Sequence, residues 1–108
     1  KWPLSLKPFY ILPDDNPKYS RGFDFMFNEV EMTSGGQRVH DVNMLRERLE
    51  EQGLDPEGFN HYLDPFRYGM PPHAGWGLGL DRLAMTFAGA KNVRECVLFP
   101  RDRTRMTP

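Results

Sequence analysis

Residues 75–82, GWGLGLDR, set three glycines at alternate positions directly before an aspartate–arginine pair and an apolar pattern of helical period. Glycines let a ligand approach the main chain closely. A helix start beyond them offers unpaired N–H groups and positive dipole character to an anion such as a nucleotide phosphate. Arg82, in the first turn, adds a planar cation able to pair with phosphate oxygens or stack on a base. The spacing is neither G-x-G-x-x-G nor G-x-x-x-x-G-K-[ST], so the two common nucleotide signatures are absent. The same glycines also suit a bulged strand under a neighbour's backbone, with Arg82 a solvated surface residue.

A second group lies in RGFDFMFNEVEMTSGGQRVHD, residues 21–41. Two alternating segments meet at Asn28-Glu29, a plausible two-residue hairpin turn. With Phe27 facing Val30, one face carries Phe23, Phe25, Phe27, Val30 and Met32, and the other carries Asp24, Met26, Glu31 and Thr33. Asp24 and Glu31 are then diagonal neighbours about 7 Å apart at Cβ, two carboxylates that could hold Mg²⁺ while substrate phosphates replace its waters. An ordinary solvent-facing sheet face accounts for them equally well. Gly35-Gly36 suggests a bulge, which reverses side-chain parity and brings Arg38 onto the face of the acids, where a lone guanidinium can take a carboxylate in bidentate fashion.

The elements that must position these groups follow from periodicity. KPFYILP reads as a strand closed by Pro13, and DDNPKYSRG as a polar loop. DVNMLRERLEEQG predicts a helix capped by Asp41 and stopped by Gly53, with an Arg46–Glu50 pair. Asp55 and Pro56 open a second helix that Pro65 should kink or end. Leu80, Leu83, Ala84, Phe87 and Ala88 predict a buried helix running to about Gly89, and ECVLFP a final short strand. Strands, then helices, then a strand describe an α+β domain: an antiparallel β-sheet flanked by helices.

Composition adds limits. The 108 residues, 39% hydrophobic with a net charge of −1, suffice for one modest core and give no general attraction to nucleic acid or membrane. The single cysteine excludes an internal disulfide, and a reducing, cytoplasmic setting fits it best. No apolar run approaches the ~18 residues of a membrane span. His73, His40 and His61 read as loop or surface histidines, Trp76 as a base-pocket or core residue, and the RDRTR tail as a solvated or subunit-facing end rather than one that faces RNA phosphate.

GLGLDR before an apolar helix resembles motif 3 of the class II aminoacyl-tRNA synthetases. EMTSGGQRVHD, RYGMPPHAG and NVRECVLFPRDRTRMTP closely resemble the aspartyl-tRNA synthetases of the archaeal and eukaryotic type, so that the likeness runs over essentially the whole chain. The resemblance implies activation of aspartate with ATP to aspartyl-adenylate, then transfer to tRNA by a homodimeric enzyme. It implies that Glu31, Gly79, Leu80, Asp81 and Arg82 bind ATP, that Ser34 and Arg38 bind the amino acid, and that Asp24, Glu31 and Ser34 serve Mg²⁺. Arg82 and Arg38 are the residues expected to assist the chemistry. Motif 3 falls at about residues 73–89. The anticodon-binding domain and motifs 1 and 2 have no counterpart here, so the chain looks like the C-terminal portion of a catalytic domain, expected to be inactive alone. Asparaginyl-tRNA synthetases and the related asparagine-forming paralogue share the motif 3 block, and a non-catalytic interaction module is a reading from another class. Arg38 favours a carboxylate over an amide, and the retained ATP and metal residues argue against a decayed module.

Overall fold

The computed structural model describes residues 1–107. Helix α1, Val42–Glu51, starts where the sequence places it: the Asp41 carboxylate accepts from the Met44 N–H at 2.8 Å, and Gly53 beyond the end takes φ +72°. Its Leu45 and Leu49 are fully buried against Val39, Leu63 and Phe66. Asp55 caps a 3₁₀ turn, Pro56–Phe59, by accepting from the Glu57 N–H at 3.1 Å, and helix α2, Asn60–Arg67, follows it. Pro65 lies inside α2, which closes two residues later, so the missing donor falls in the last turn, where it interrupts little.

Two expectations fail in this region. Arg46 pairs with Glu57 across to the 3₁₀ turn, and not with Glu50 along its own helix; Arg48, buried, pairs with Glu51 at 2.5 Å. The segment KPFYILP is not a strand. A 3₁₀ turn at Leu4–Leu6 and isolated bridges Pro3–Tyr19, Ile11–Arg38 and Pro13–Ser20 replace it. Pro8 and Pro13 bracket the segment and each lacks a ladder donor, leaving only four residues between them.

The sheet has three strands in the order β1-β2-β3: β1 Gly22–Phe27, β2 Val30–Gln37 and β3 Ala74–Leu78. Asn28 and Glu29 join β1 to β2 with φ of +45° and +66°, the two left-handed residues that a tight hairpin with native twist requires. From the facing pair Phe27 and Val30, β2 advances seven residues to Gln37, whose N–H donates at 3.1 Å to the carbonyl of Arg21, only six residues from Phe27. One extra residue is therefore taken up in β2, as the paired glycines imply. Gly36 is needed there, since a Cβ would fall 2.8 Å from the Arg21 carbonyl oxygen.

The chain divides into two units, Lys1–Phe23 with Ser34–Trp76, and Asp24–Thr33 with Gly77–Pro108. The first contains the core just described. The second holds the hairpin tip and helix α3, Leu80–Ala88, which ends at Gly89 with φ +66°. Here burial departs from the pattern. Met32 is buried, but Phe23 in the first unit and Phe25 and Phe27 in the second are 44–57% exposed. No residue of α3 is buried: Leu83 is half-buried, whereas Leu80, Ala84, Phe87 and Ala88 are exposed, so the helix exists with the expected period but not the expected cover. ECVLFP begins within a 3₁₀ turn, Val93–Cys96, capped by Asn92, and continues as an irregular segment with Leu98 and Phe99 exposed, in place of the expected strand. Pro100 closes the apolar run after four residues, and no strand among the described residues pairs with it.

Candidate functional site

In the second unit, α3 begins beside β2. The Gly79 N–H donates to the Met32 carbonyl at 2.9 Å, and the Gly79 carbonyl accepts from the Leu83 N–H at 2.9 Å, so this one residue is both the edge partner of β2 and the cap of α3. No side chain caps the helix, which leaves the leading N–H groups of α3 without the usual side-chain acceptor. A Cβ at residue 79 would lie 3.2 Å from Arg82 Cδ and 3.4 Å from the Met32 carbonyl oxygen, close quarters that the arginine could relieve by a small shift.

Arg82 folds back to β2. Its Nη1 donates to the Glu31 main-chain carbonyl and stands 3.9 Å from the Glu31 carboxylate, with both side chains about half exposed. The hydrogen bond fixes the guanidinium; the longer carboxylate contact, open to water, adds little energy. Asp24, on β1 in the same unit, is half-buried and engaged with a neighbour. Asp81 is exposed in the first turn of α3 and Leu80 is 68% exposed. Thr33, which the sequence did not single out, donates its hydroxyl to the Gly77 carbonyl at 2.6 Å and so pins the glycine segment.

In the first unit, Arg38 is half-buried and its guanidinium carbon lies 4.4 Å from the centre of the Tyr10 ring. Among the described residues, Arg21, Arg46, Arg48, Arg67, Arg82 and Arg94 each have a carboxylate within ion-pair distance; Arg38 has none. Burial pushes the nearby Tyr62 phenol up, opposed by the Arg38 charge and assisted by Tyr10. Ser34 is half-buried and has a partner of its own. His73 accepts the Arg38 N–H on its carbonyl at 2.9 Å, and its ring Nδ1 lies 2.9 Å from the Pro71 carbonyl, a loop histidine held by its neighbours. Trp76 is 61% exposed. A groove of about 840 Å³ in this unit, lined by Leu4, Lys7, Lys18 and Arg48 among others, contains none of these residues.

The family model for tRNA synthetases class II (D, K and N) matches residues 1–103. The chain belongs to the class II tRNA synthetases. Among curated relatives it is 56% identical to the aspartate–tRNA(Asp/Asn) ligase of Methanothermobacter thermautotrophicus, covering 99% of this chain and 25% of that protein. It is 54% identical to the aspartate–tRNA(Asp) ligase of Thermoplasma acidophilum, over 100% of this chain and 26% of that one. The chain thus spans about a quarter of the length of these synthetases. Among solved structures, the aspartyl-tRNA synthetase of Entamoeba histolytica superposes with a TM-score of 0.92 at 45% identity, covering 98% of this chain and 22% of that one. The asparaginyl-tRNA synthetase of Pyrococcus horikoshii superposes at 0.91 with 38% identity, over 98% and 26%. The α+β fold, an antiparallel sheet with helices, is that of these synthetase domains.

No helix of the described residues is long and apolar enough to cross a membrane. No group of three or more histidine, cysteine or acidic residues among them could hold a metal by itself. Two carboxylates with substrate oxygens completing the sphere remain a suitable donor set for Mg²⁺, which binds through one or two carboxylates plus phosphates.

Proposed function

We propose that the protein carrying this chain activates aspartate with ATP, forming aspartyl-adenylate and releasing pyrophosphate, and then transfers aspartate to the 3′ end of its tRNA. The chain contributes the C-terminal portion of the catalytic domain, with motif 3 at about residues 73–89, in an enzyme that works as a cytoplasmic homodimer. The observation that carries the choice of amino acid is Arg38, a guanidinium held at a half-buried place with no carboxylate of its own among the described residues. A fork of N–H donors left unneutralised is suited to the side-chain carboxylate of aspartate and gains less from the amide of asparagine.

The reaction needs no protein nucleophile. An oxygen of the aspartate α-carboxylate attacks the α-phosphorus in line, the bond to the bridging oxygen breaks, and pyrophosphate leaves with that electron pair. Catalysis then comes from positioning and from positive charge placed where negative charge builds. Ser34 and Arg38 bind the amino acid. Glu31, Gly79, Leu80, Asp81 and Arg82 form the ATP segment, with Arg82 tied to β2 through the Glu31 carbonyl and the helix start supplying N–H groups. Asp24 and Glu31, with Ser34, would hold Mg²⁺, whose charge offsets that of the phosphates.

The test is amino-acid-dependent ATP–pyrophosphate exchange by the full-length protein. Aspartate supports exchange and asparagine does so far less well. Arg38→Met raises the aspartate KM at least ~30-fold, the equivalent of about 2 kcal/mol for truncating one side of a charged pair, and leaves the ATP KM unchanged. Equal exchange with asparagine, or an Arg38→Met enzyme with normal aspartate KM, would overturn the assignment.

A further inference from the structure

We propose that Tyr10 is a positioning residue for Arg38 and that, with Gly75, it helps set the preference for a carboxylate over an amide; the inference rests on the aspartate-activating reading above. The backbone brings the two side chains together. Ile11 and Arg38 form an antiparallel bridge, the Val39 N–H donates to the Tyr10 carbonyl at 2.9 Å, and the Arg38 N–H donates to the His73 carbonyl at 2.9 Å. Residue 38 is therefore tied on both edges, which holds it beside the Tyr10 ring. The ring is itself fixed by an edge contact from Phe9 at 5.3 Å and by packing on the core around Leu45 and Leu63. A guanidinium 4.4 Å from such a ring centre is within the range of a cation–π contact.

Gly75 bounds the same guanidinium. A Cβ at that position would lie 3.3 Å from Arg38 Nε and 3.3 Å from Nη2, tighter than ordinary van der Waals contact. A side chain at residue 75 would press on the guanidinium and require it to shift by a few tenths of an ångström.

The chemical kind of the support matters more than its strength. Arg21, Arg46 and Arg48 sit against carboxylates, which hold them and also neutralise them. An aromatic face holds a guanidinium through its quadrupole and leaves the full positive charge in place. A ligand carboxylate then meets an uncompensated cation, whereas an amide meets the same donors without the charge attraction. Had residue 10 been acidic, Arg38 would be equally well oriented and far less selective.

The experiment uses the full-length protein and compares Tyr10→Phe, Tyr10→Leu and Gly75→Ala in ATP–pyrophosphate exchange with aspartate and asparagine, alongside Arg38→Met. Tyr10→Phe keeps the stacked face and stays within ~2-fold of the parent. Tyr10→Leu raises the aspartate KM ~5- to 30-fold, the range of a partly desolvated cation–π contact, leaves the ATP KM unchanged and lowers the aspartate-to-asparagine ratio of kcat/KM by a similar factor. A normal aspartate KM in Tyr10→Leu, or equal rises in both substrate KM values, overturns the proposal. Loss in Arg38→Met without loss in Tyr10→Leu overturns it while the aspartate reading stands; a silent Arg38→Met brings down both. Should Tyr10→Leu fail to fold, Gly75→Ala decides: a rise confined to aspartate supports the positioning role, and an unchanged aspartate KM, or one that rises only together with that for ATP, refutes it.

Discussion

Gly77 is the place where a ligand's demand for bare backbone can be separated from the fold's demand. At Gly35, an added Cβ would lie 2.4 Å from Trp76 Cβ, 2.7 Å from the Gly75 carbonyl oxygen and 2.8 Å from Trp76 Cα, so the approach of strands alone forbids a side chain. At Gly77, an added Cβ meets no atom within 4 Å among the described residues, and the residue is not among the glycines of positive φ. Neither sterics nor backbone conformation requires glycine there. Gly77→Ala should therefore leave the fold intact and stabilise it by up to about 0.5–1 kcal/mol, the entropy a strand glycine otherwise costs. If ATP lies against this stretch of main chain, the new methyl intrudes on the nucleotide. A cost of about 1–3 kcal/mol, typical of one methyl forced into a packed contact, raises the ATP KM ~5- to 150-fold with little change for aspartate. Thermal unfolding and ATP–pyrophosphate exchange on the full-length Gly77→Ala protein read the two effects separately, with Gly35→Ala as the variant expected to lose stability. An undiminished melting temperature with a normal ATP KM would refute the idea that these glycines serve a ligand; a large loss of stability would refute the steric reasoning itself.

Two further outcomes follow from packing and charge. Leu49→Ala, at a fully buried position of α1, should cost about 2–5 kcal/mol in urea unfolding of the 108-residue chain, and Phe87→Ala, 84% exposed on α3, within about 0.5 kcal/mol; equal losses would contradict the burial described. Asp102 accepts from the Thr104 hydroxyl and N–H at 2.7 Å each and from the Arg105 N–H at 2.8 Å, with Arg94 at 2.7 Å, and its carboxyl is held below the ordinary value of 3.8 chiefly by the Thr104 bonds. A depressed folded-state value means that the turn is supported above about pH 4 and loses that support as pH falls through the lowered value. Amide resonances of Thr104 and Arg105 should report a midpoint below 3.8, and a midpoint at or above it would remove the charge explanation.

Local chemistry was readable wherever it is decided by adjacent residues. The hairpin turn at Asn28-Glu29, the Asp41 cap and the left-handed stop at Gly89 each depend on a few neighbouring atoms, and each forms as its residues dictate. Partners chosen across the fold were not readable. Arg46 reaches Glu57 because the 3₁₀ turn after Gly53 brings that carboxylate back, a geometry that helical spacing to Glu50 could not reveal. Tyr10 escaped notice for the same reason: in an apolar run it looks like core, and only the bridge between Ile11 and Arg38 puts its ring against a guanidinium.

The exposed stripe on α3 shows a further limit of periodicity, and it bears on how the chemistry is built. A pattern at 0, 3, 4, 7 and 8 states which face of a helix is apolar; it says nothing about whether the covering layer belongs to the same stretch of chain. Leu80, Ala84, Phe87 and Ala88 keep that face in a piece spanning about a quarter of its relatives' length, while Leu83 is half-buried. Arg82 is nonetheless anchored to β2 through the Glu31 carbonyl, and Arg38 is anchored beside Tyr10 by main-chain bridges. Both cations are thus oriented by backbone contacts local to their own unit. Such an arrangement places the cost of orienting them in folding, offset for Arg38 by the core around Leu45 and Leu49 in its own unit, and leaves less of it to be met when substrate binds.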